Sequence, residues 1–87
     1  MNDDKLAKLK DLLEDQYTWP NQYMFKFIAK PPQLPQLKSL FENAEFKERP
    51  SSKGTYISLT INIQAESPDQ IISLYESVAE IDGVISL

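Results

Sequence analysis

Eighty-seven residues and 10.0 kDa leave room for one domain with one core. With no Cys and no His, the chain has no disulfide, thiolate nucleophile, zinc finger, haem ligand or imidazole base, and its net charge of −4 makes it a poor general binder of nucleic acid. No apolar run approaches the ~20 residues of a membrane helix, and the acidic N-terminus does not read as a signal peptide, so the expectation is a soluble cytoplasmic protein without membrane contact.

Residues 3–16 are predicted to form an amphipathic helix, with Leu6, Leu9, Leu12 and Leu13 on one stripe and Asn2 or Asp3 as its cap. Pro20-Asn21 is turn chemistry and ends that pattern. A first strand is expected over 23–30, where Tyr23, Phe25, Phe27 and Ala29 alternate with Met24, Lys26, Ile28 and Lys30 and supply the core face. Pro31-Pro32 stops it, and a helix over 33–44 follows, with Leu34, Leu37, Leu40 and Phe41 as its stripe and Pro35 in its first turn.

Residues 45–49 read as a short, charged edge strand anchored by Phe46 and stopped by Pro50. After the turn 50–54, the stretch 55–65 is the clearest strand. Ile57, Leu59, Ile61, Ile63 and Ala65 face one way, and Tyr56, Ser58, Thr60, Asn62 and Gln64 the other, as in a central strand covered on one side. Ser67 caps the last helix, with Pro68 at its first position and Gln70 completing a capping box. Ile71, Leu74, Tyr75, Val78 and Ile81 form its buried stripe, Gly83 stops it, and 84–87 is a final strand.

The order β-α-β-β-α-β, preceded by an extra helix, predicts an α+β ferredoxin-like sandwich. Its four-stranded antiparallel sheet has the order 4-1-3-2. Residues 1–22 are the N-terminal helix and turn, and 23–87 are the ferredoxin-like domain. Whether the first helix covers the polar side of the sheet is open; its leucine stripe, Trp19 and Met24 are candidates for that cover.

The fold hosts many functions, so each chemistry is tested on its own residues. The RNA-recognition signature begins correctly at Lys53-Gly54, but the places that need aromatics hold Thr55, Ile57 and Thr60, with Tyr56 out of phase. A metal carrier needs a Cys pair, and an acylphosphatase-like reaction needs an Arg in the loop after the first strand; that loop is Lys30-Pro31-Pro32-Gln33. Glu76 and Glu80 lie one turn apart on an exposed helix face and read as a solvated pair. No enzyme, cofactor or metal site is expected.

Charge is unevenly spread. Residues 26–53 carry Lys26, Lys30, Lys38, Lys47, Arg49 and Lys53 against Glu42, Glu45 and Glu48, whereas 54–87 contain no Lys or Arg. The plain reading is a solvated, mixed surface. The functional one is a basic edge near Lys47, Arg49 and Lys53 that meets an acidic partner or anion. Ser51-Ser52-Lys53-Gly54 is either an ordinary hairpin connection or a nest of backbone donors around an anion. The polar face of Tyr56, Ser58, Thr60, Asn62 and Gln64 has donors and acceptors but no charge, which suits contact with a protein or a small polar ligand.

The stretch Pro50-Ser51-Ser52-Lys53-Gly54-Thr55-Tyr56-Ile57-Ser58-Leu59, with Ser67-Pro68-Asp69-Gln70-Ile71, Leu74-Tyr75-Glu76 and Ile81-Asp82-Gly83-Val84, resembles the YbeD-like family of small bacterial cytosolic proteins of unknown function. The resemblance runs from about Tyr23 to Leu87. It implies a ferredoxin-like fold similar to the ACT domains that bind amino acids and regulate metabolic enzymes, and it nominates Ser51, Ser52, Lys53, Gly54, Tyr56 and Ser58. The sequence departs from the ACT pattern at 29–33, which has two prolines and no Gly. Two roles stay in view: a non-enzymatic regulatory or adaptor domain that contacts a protein partner, and an ACT-like sensor of a small anionic metabolite. A homodimer through the edge strands is compatible with either.

Overall fold

The computed structural model describes residues 3–87, with side chains from Lys5 onward. Helix α1 (Asp3–Gln16) leads to β1 (Asn21–Ala29), a 3₁₀ turn (Pro31–Gln33), α2 (Leu34–Ser39), β2 (Glu45–Pro50), β3 (Ile57–Ala65), α3 (Pro68–Ala79) and β4 (Ile85–Ser86). The strands form one antiparallel sheet in the order β2-β3-β1-β4. This is the ferredoxin-like sandwich with an added N-terminal helix. The cap expected from Asn2 or Asp3 lies outside the residues whose side chains are described. No helix among the described residues is long and apolar enough to cross a membrane.

Alternation in β1 and β3 leaves Met24 and Ile28 of β1 on one face and sends most large apolar side chains to the other. Phe25, Phe27, Ala29, Leu59, Ile61 and Ala65 are fully enclosed there, beneath Leu37, Phe41, Ile71 and Val78. The Phe25 ring lies 5.1 Å from that of Phe41 and 5.0 Å from that of Tyr75, so the chain after α2 and the middle of α3 close over the same strand. Tyr75 adds a polar tie, its hydroxyl 3.1 Å from that of Tyr23.

The short α2 departs from the expected helix over 33–44. Pro31 and Pro32 start a 3₁₀ turn instead of merely ending β1, and the α-helix begins with Pro35 in its first turn and stops at Ser39. Residues 40–44 leave the helix, with Asn43 at φ 56, so that Phe41 can drop into the core. The third strand begins at Ile57 because 55 and 56 still belong to the preceding turn, and the last strand is only two residues long.

At α3 the Ser67 hydroxyl accepts from the Gln70 N–H, while the Gln70 side chain accepts from the N–H of Glu66, one residue earlier than a capping box requires. After α3, Gly83 takes φ +84, and a β-carbon there would sit 2.6 Å from Gln33 Nε2. The glycine thus lets the Gln33 amide reach the Asp82 carbonyl, while its oxygen accepts from the Lys30 N–H at 2.9 Å. This ties the loop after β1 to the approach to β4.

The first helix joins the helical layer. Leu13 is buried in the core cluster, Leu9 packs on it, and Lys10 pairs with Asp69 of α3 at 2.8 Å. Trp19 packs on the same core and donates to the Leu13 carbonyl at 3.1 Å, whereas Met24 is half exposed on the opposite side of the sheet. Neither the leucine stripe nor Trp19 covers the polar face.

Two predictions follow from this packing. Leu37→Ala, at a site with no exposed surface, lowers unfolding stability by about 2–5 kcal/mol in urea melts. Burial, with the hydrogen bond between its hydroxyl and that of Tyr23 next in weight, raises the Tyr75 pKa above its ordinary 10.0. Below about pH 10 both states keep the phenol proton; above it the unfolded chain loses that proton first, so stability falls as pH rises. Urea midpoints at about pH 9 and about pH 11 measure the effect, and Tyr75→Phe reduces the loss between them.

Candidate functional site

The uncovered sheet face is assembled by register. Antiparallel partners share a face, so Arg49–Ser58–Ile28–Ile85 form one cross-strand row. Lys47–Thr60–Lys26 form the next, and Glu45–Asn62–Met24 the one beyond. Past the other end of β3, Tyr56 lies beside Lys30, whose Nζ is 6.0 Å from the ring centroid. The face expected to be polar and uncharged is therefore basic. Its own strand carries no charge, but the flanking strands contribute Lys26, Lys47 and Arg49.

Among the strand residues, Glu45 is the one acid that the register places on this side. Glu48 points to the opposite face, opposite buried Leu59, and pairs there with Lys38 of α2. Among the described residues, Lys26, Lys47 and Arg49 form no salt bridge. Most acids lie in the helical layer and its ends, at Asp11, Glu14 and Asp15 of α1, Asp69 and Glu76 of α3, and Glu80 and Asp82 after it.

Adjoining hollows indent the basic part of this face. One, of 430 Å³, is lined by Lys26, Lys47, Glu48, Arg49, Ser58 and Thr60. Its neighbour, of 270 Å³, shares Arg49 and Ser58 and adds Ile28, Pro50, Ser51 and Tyr56. The basic edge and the polar face inferred from sequence are thus one surface.

Of the sequence candidates, Lys47, Arg49, Ser51, Tyr56 and Ser58 line these hollows, and Ser52, Lys53 and Gly54 do not. Those three stand exposed in the β2–β3 turn, where Gly54 takes φ +70. Three backbone donors of this turn are already used: Ser51 N–H bonds Tyr56 O at 2.8 Å, Gly54 N–H bonds Ser51 O at 2.9 Å, and Tyr56 N–H bonds the Ser51 hydroxyl at 3.3 Å. They close the hairpin and face inward. Sequence reasoning left Lys26 and Ile28 out of the site. The signal was available, because both alternate out of phase with Phe25 and Phe27.

A larger cleft of 500 Å³ opens on the helical side, where α2 stops short of α3. Leu40, Glu42, Asn43, Glu66, Gln70 and Leu74 are among its walls. It has no cation, and its Gln70 side chain already serves the start of α3.

The profile of the family described as "Protein of unknown function (DUF493)" matches residues 14–87. A UPF0250 protein of Vibrio parahaemolyticus is 39% identical over 85 residues, covering 90% of this chain and 88% of its relative. A UPF0250 protein of Haemophilus influenzae is 36% identical with the same coverage, and one of Vibrio vulnificus is 39% identical. No solved structure matches the chain. With its sequence matched over nearly its whole length by both the family profile and these bacterial relatives, the chain belongs to the DUF493, or UPF0250, family of YbeD-like proteins of unknown function.

Proposed function

We propose that this protein is a non-enzymatic regulatory or adaptor domain whose open sheet face docks an acidic protein partner. The observation that carries this reading is the gathering of Lys26, Lys47 and Arg49 on one open sheet face, without a salt bridge or a covering helix among the described residues. The same face exposes Met24 and Ile85, each more than half accessible, so apolar contact accompanies charge. A basic centre beside apolar side chains suits a protein surface: charge complementarity fixes the orientation, and the apolar groups supply area to bury.

A second reading is favoured by one specific feature. The 430 Å³ hollow places two hydroxyls, Ser58 and Thr60, between three cations, as a sensor of a small anionic metabolite requires. A ligand that binds only the folded state raises the melting temperature, which separates this reading from the first.

The decisive variant is Lys47→Glu/Arg49→Glu, both exposed positions whose replacement spares the core. Immobilised wild-type protein is expected to retain acidic partners from bacterial lysate that this variant, still folded by circular dichroism, releases. Equal retention of the same proteins by both overturns the docking reading.

A further inference from the structure

The row Lys47–Thr60–Lys26 places two lysines on either side of β3, with a threonine hydroxyl between them. Neighbouring strands lie ~4.8 Å apart, so the two lysine α-carbons are separated by roughly 10 Å, a gap that their side chains are long enough to close above Thr60. Arg49 is two residues along β2 from Lys47 on the same face, roughly 7 Å away, opposite Ser58. All three side chains line one hollow over the Ser58–Thr60 segment. The hollow of 430 Å³ stands there, and neither hydroxyl is hydrogen-bonded to another described residue.

Three cations at this spacing, without a salt bridge among the described residues, repel one another in a chain whose net charge, these three included, is −4. Glu48, the acid nearest in sequence, is turned through the sheet toward Lys38 and does not relieve them. A single carboxylate would neutralise one of the three. A tetrahedral dianion offers several oxygens at once: two to the Arg49 fork, others to the lysine ammonium groups, and an edge that accepts from the two hydroxyls. Beyond it, the adjoining hollow walled by Ile28, Pro50 and Tyr56 receives the apolar part of whatever bears the charge.

We infer that the hollow between Lys26, Lys47 and Arg49 is a binding subsite for a phosphoryl dianion. The inference rests on the reading of this face as the docking surface and specifies the group recognised at its centre. A phosphorylated side chain of the partner and a small phosphorylated metabolite share that chemistry.

The test is a backbone NMR titration of the full chain with inorganic phosphate at about pH 8, where the dianion predominates. Acetate at matched ionic strength is the comparison. Saturable shifts centred on Ser58 and Thr60, with acetate at least about tenfold weaker, are expected. Arg49→Met and Lys26→Met each weaken phosphate by about tenfold, as the loss of a charged hydrogen bond requires. Thr60→Val removes only the hydroxyl and weakens it less. Lys53→Met, in the turn outside the hollow, leaves the affinity within about twofold.

Shifts that grow linearly without saturation, equal responses to phosphate and acetate, or equal loss from Lys53→Met and Arg49→Met overturn the subsite. A phosphoserine peptide that binds more tightly than glycerol phosphate assigns the phosphoryl group to a protein partner; the reverse order assigns it to a metabolite. Phosphate binding with partner retention untouched by Lys47→Glu/Arg49→Glu upholds the subsite and removes the protein-docking reading. Retention lost by that variant without phosphate binding does the opposite.

Discussion

Phe25 and Phe27 stand side by side on one face of β1, their rings stacked with centroids 5.9 Å apart, and the helical layer is arranged around them. Phe41 reaches them from the chain after α2, and Tyr75 from α3. Burying each such ring stabilises the fold by roughly 1.5–3 kcal/mol, a large share of what a domain of this size holds. Because strand side chains alternate, committing these residues to one face commits their neighbours Met24, Lys26 and Ile28 to the other. The core and the candidate site are two sides of the same alternation.

That constraint also sorts the charges. Lys47 and Arg49 alternate with the half-buried Phe46, so β2 turns both toward the open side and Glu48 toward the helices. The helices expose polar faces rich in Asp and Glu, and the acid-rich C-terminal third supplies α3. A sheet covered on one side only thus becomes a basic surface backed by an acidic layer, although no single strand is basic throughout.

Much of this was legible from the residues. Strand order, the Ser67 cap and the one-sided β3 rest on patterns strong enough for the tertiary structure to keep. By contrast, α3 ends at Ala79, so Ile81 is buried from the chain beyond the helix, and Gly83 turns that chain instead of stopping the helix. The length of α2 was not legible. Leu34, Leu37, Leu40 and Phe41 are spaced for a continuous helix, but seating Phe41 against Phe25 favours leaving the helix after Ser39, a choice made by packing. The place of α1 was hidden for the same kind of reason, since a leucine stripe fits either side of a sheet. It lies in the helical layer, where Leu13 joins the core and Lys10 meets Asp69. The basic hollow was missed because it belongs to no strand alone: Lys26 from β1, Ser58 and Thr60 from β3, and Lys47 and Arg49 from β2 meet only through register. Applying the alternation of β3 to its neighbours would have found it.

The separation of charge between the two layers makes the molecule an electric dipole, and this changes what its net charge means. Beyond about one Debye length, roughly 8–10 Å, another molecule senses little of either layer. Inside that distance the field has direction as well as sign, so a polyanion exerts a torque that turns the sheet toward it, and a polycation turns the helices toward it. An overall negative protein can therefore collide productively with negative surfaces. The gain appears in how often encounters begin in the right orientation more than in how long the complex lasts, and it fades as ionic strength rises.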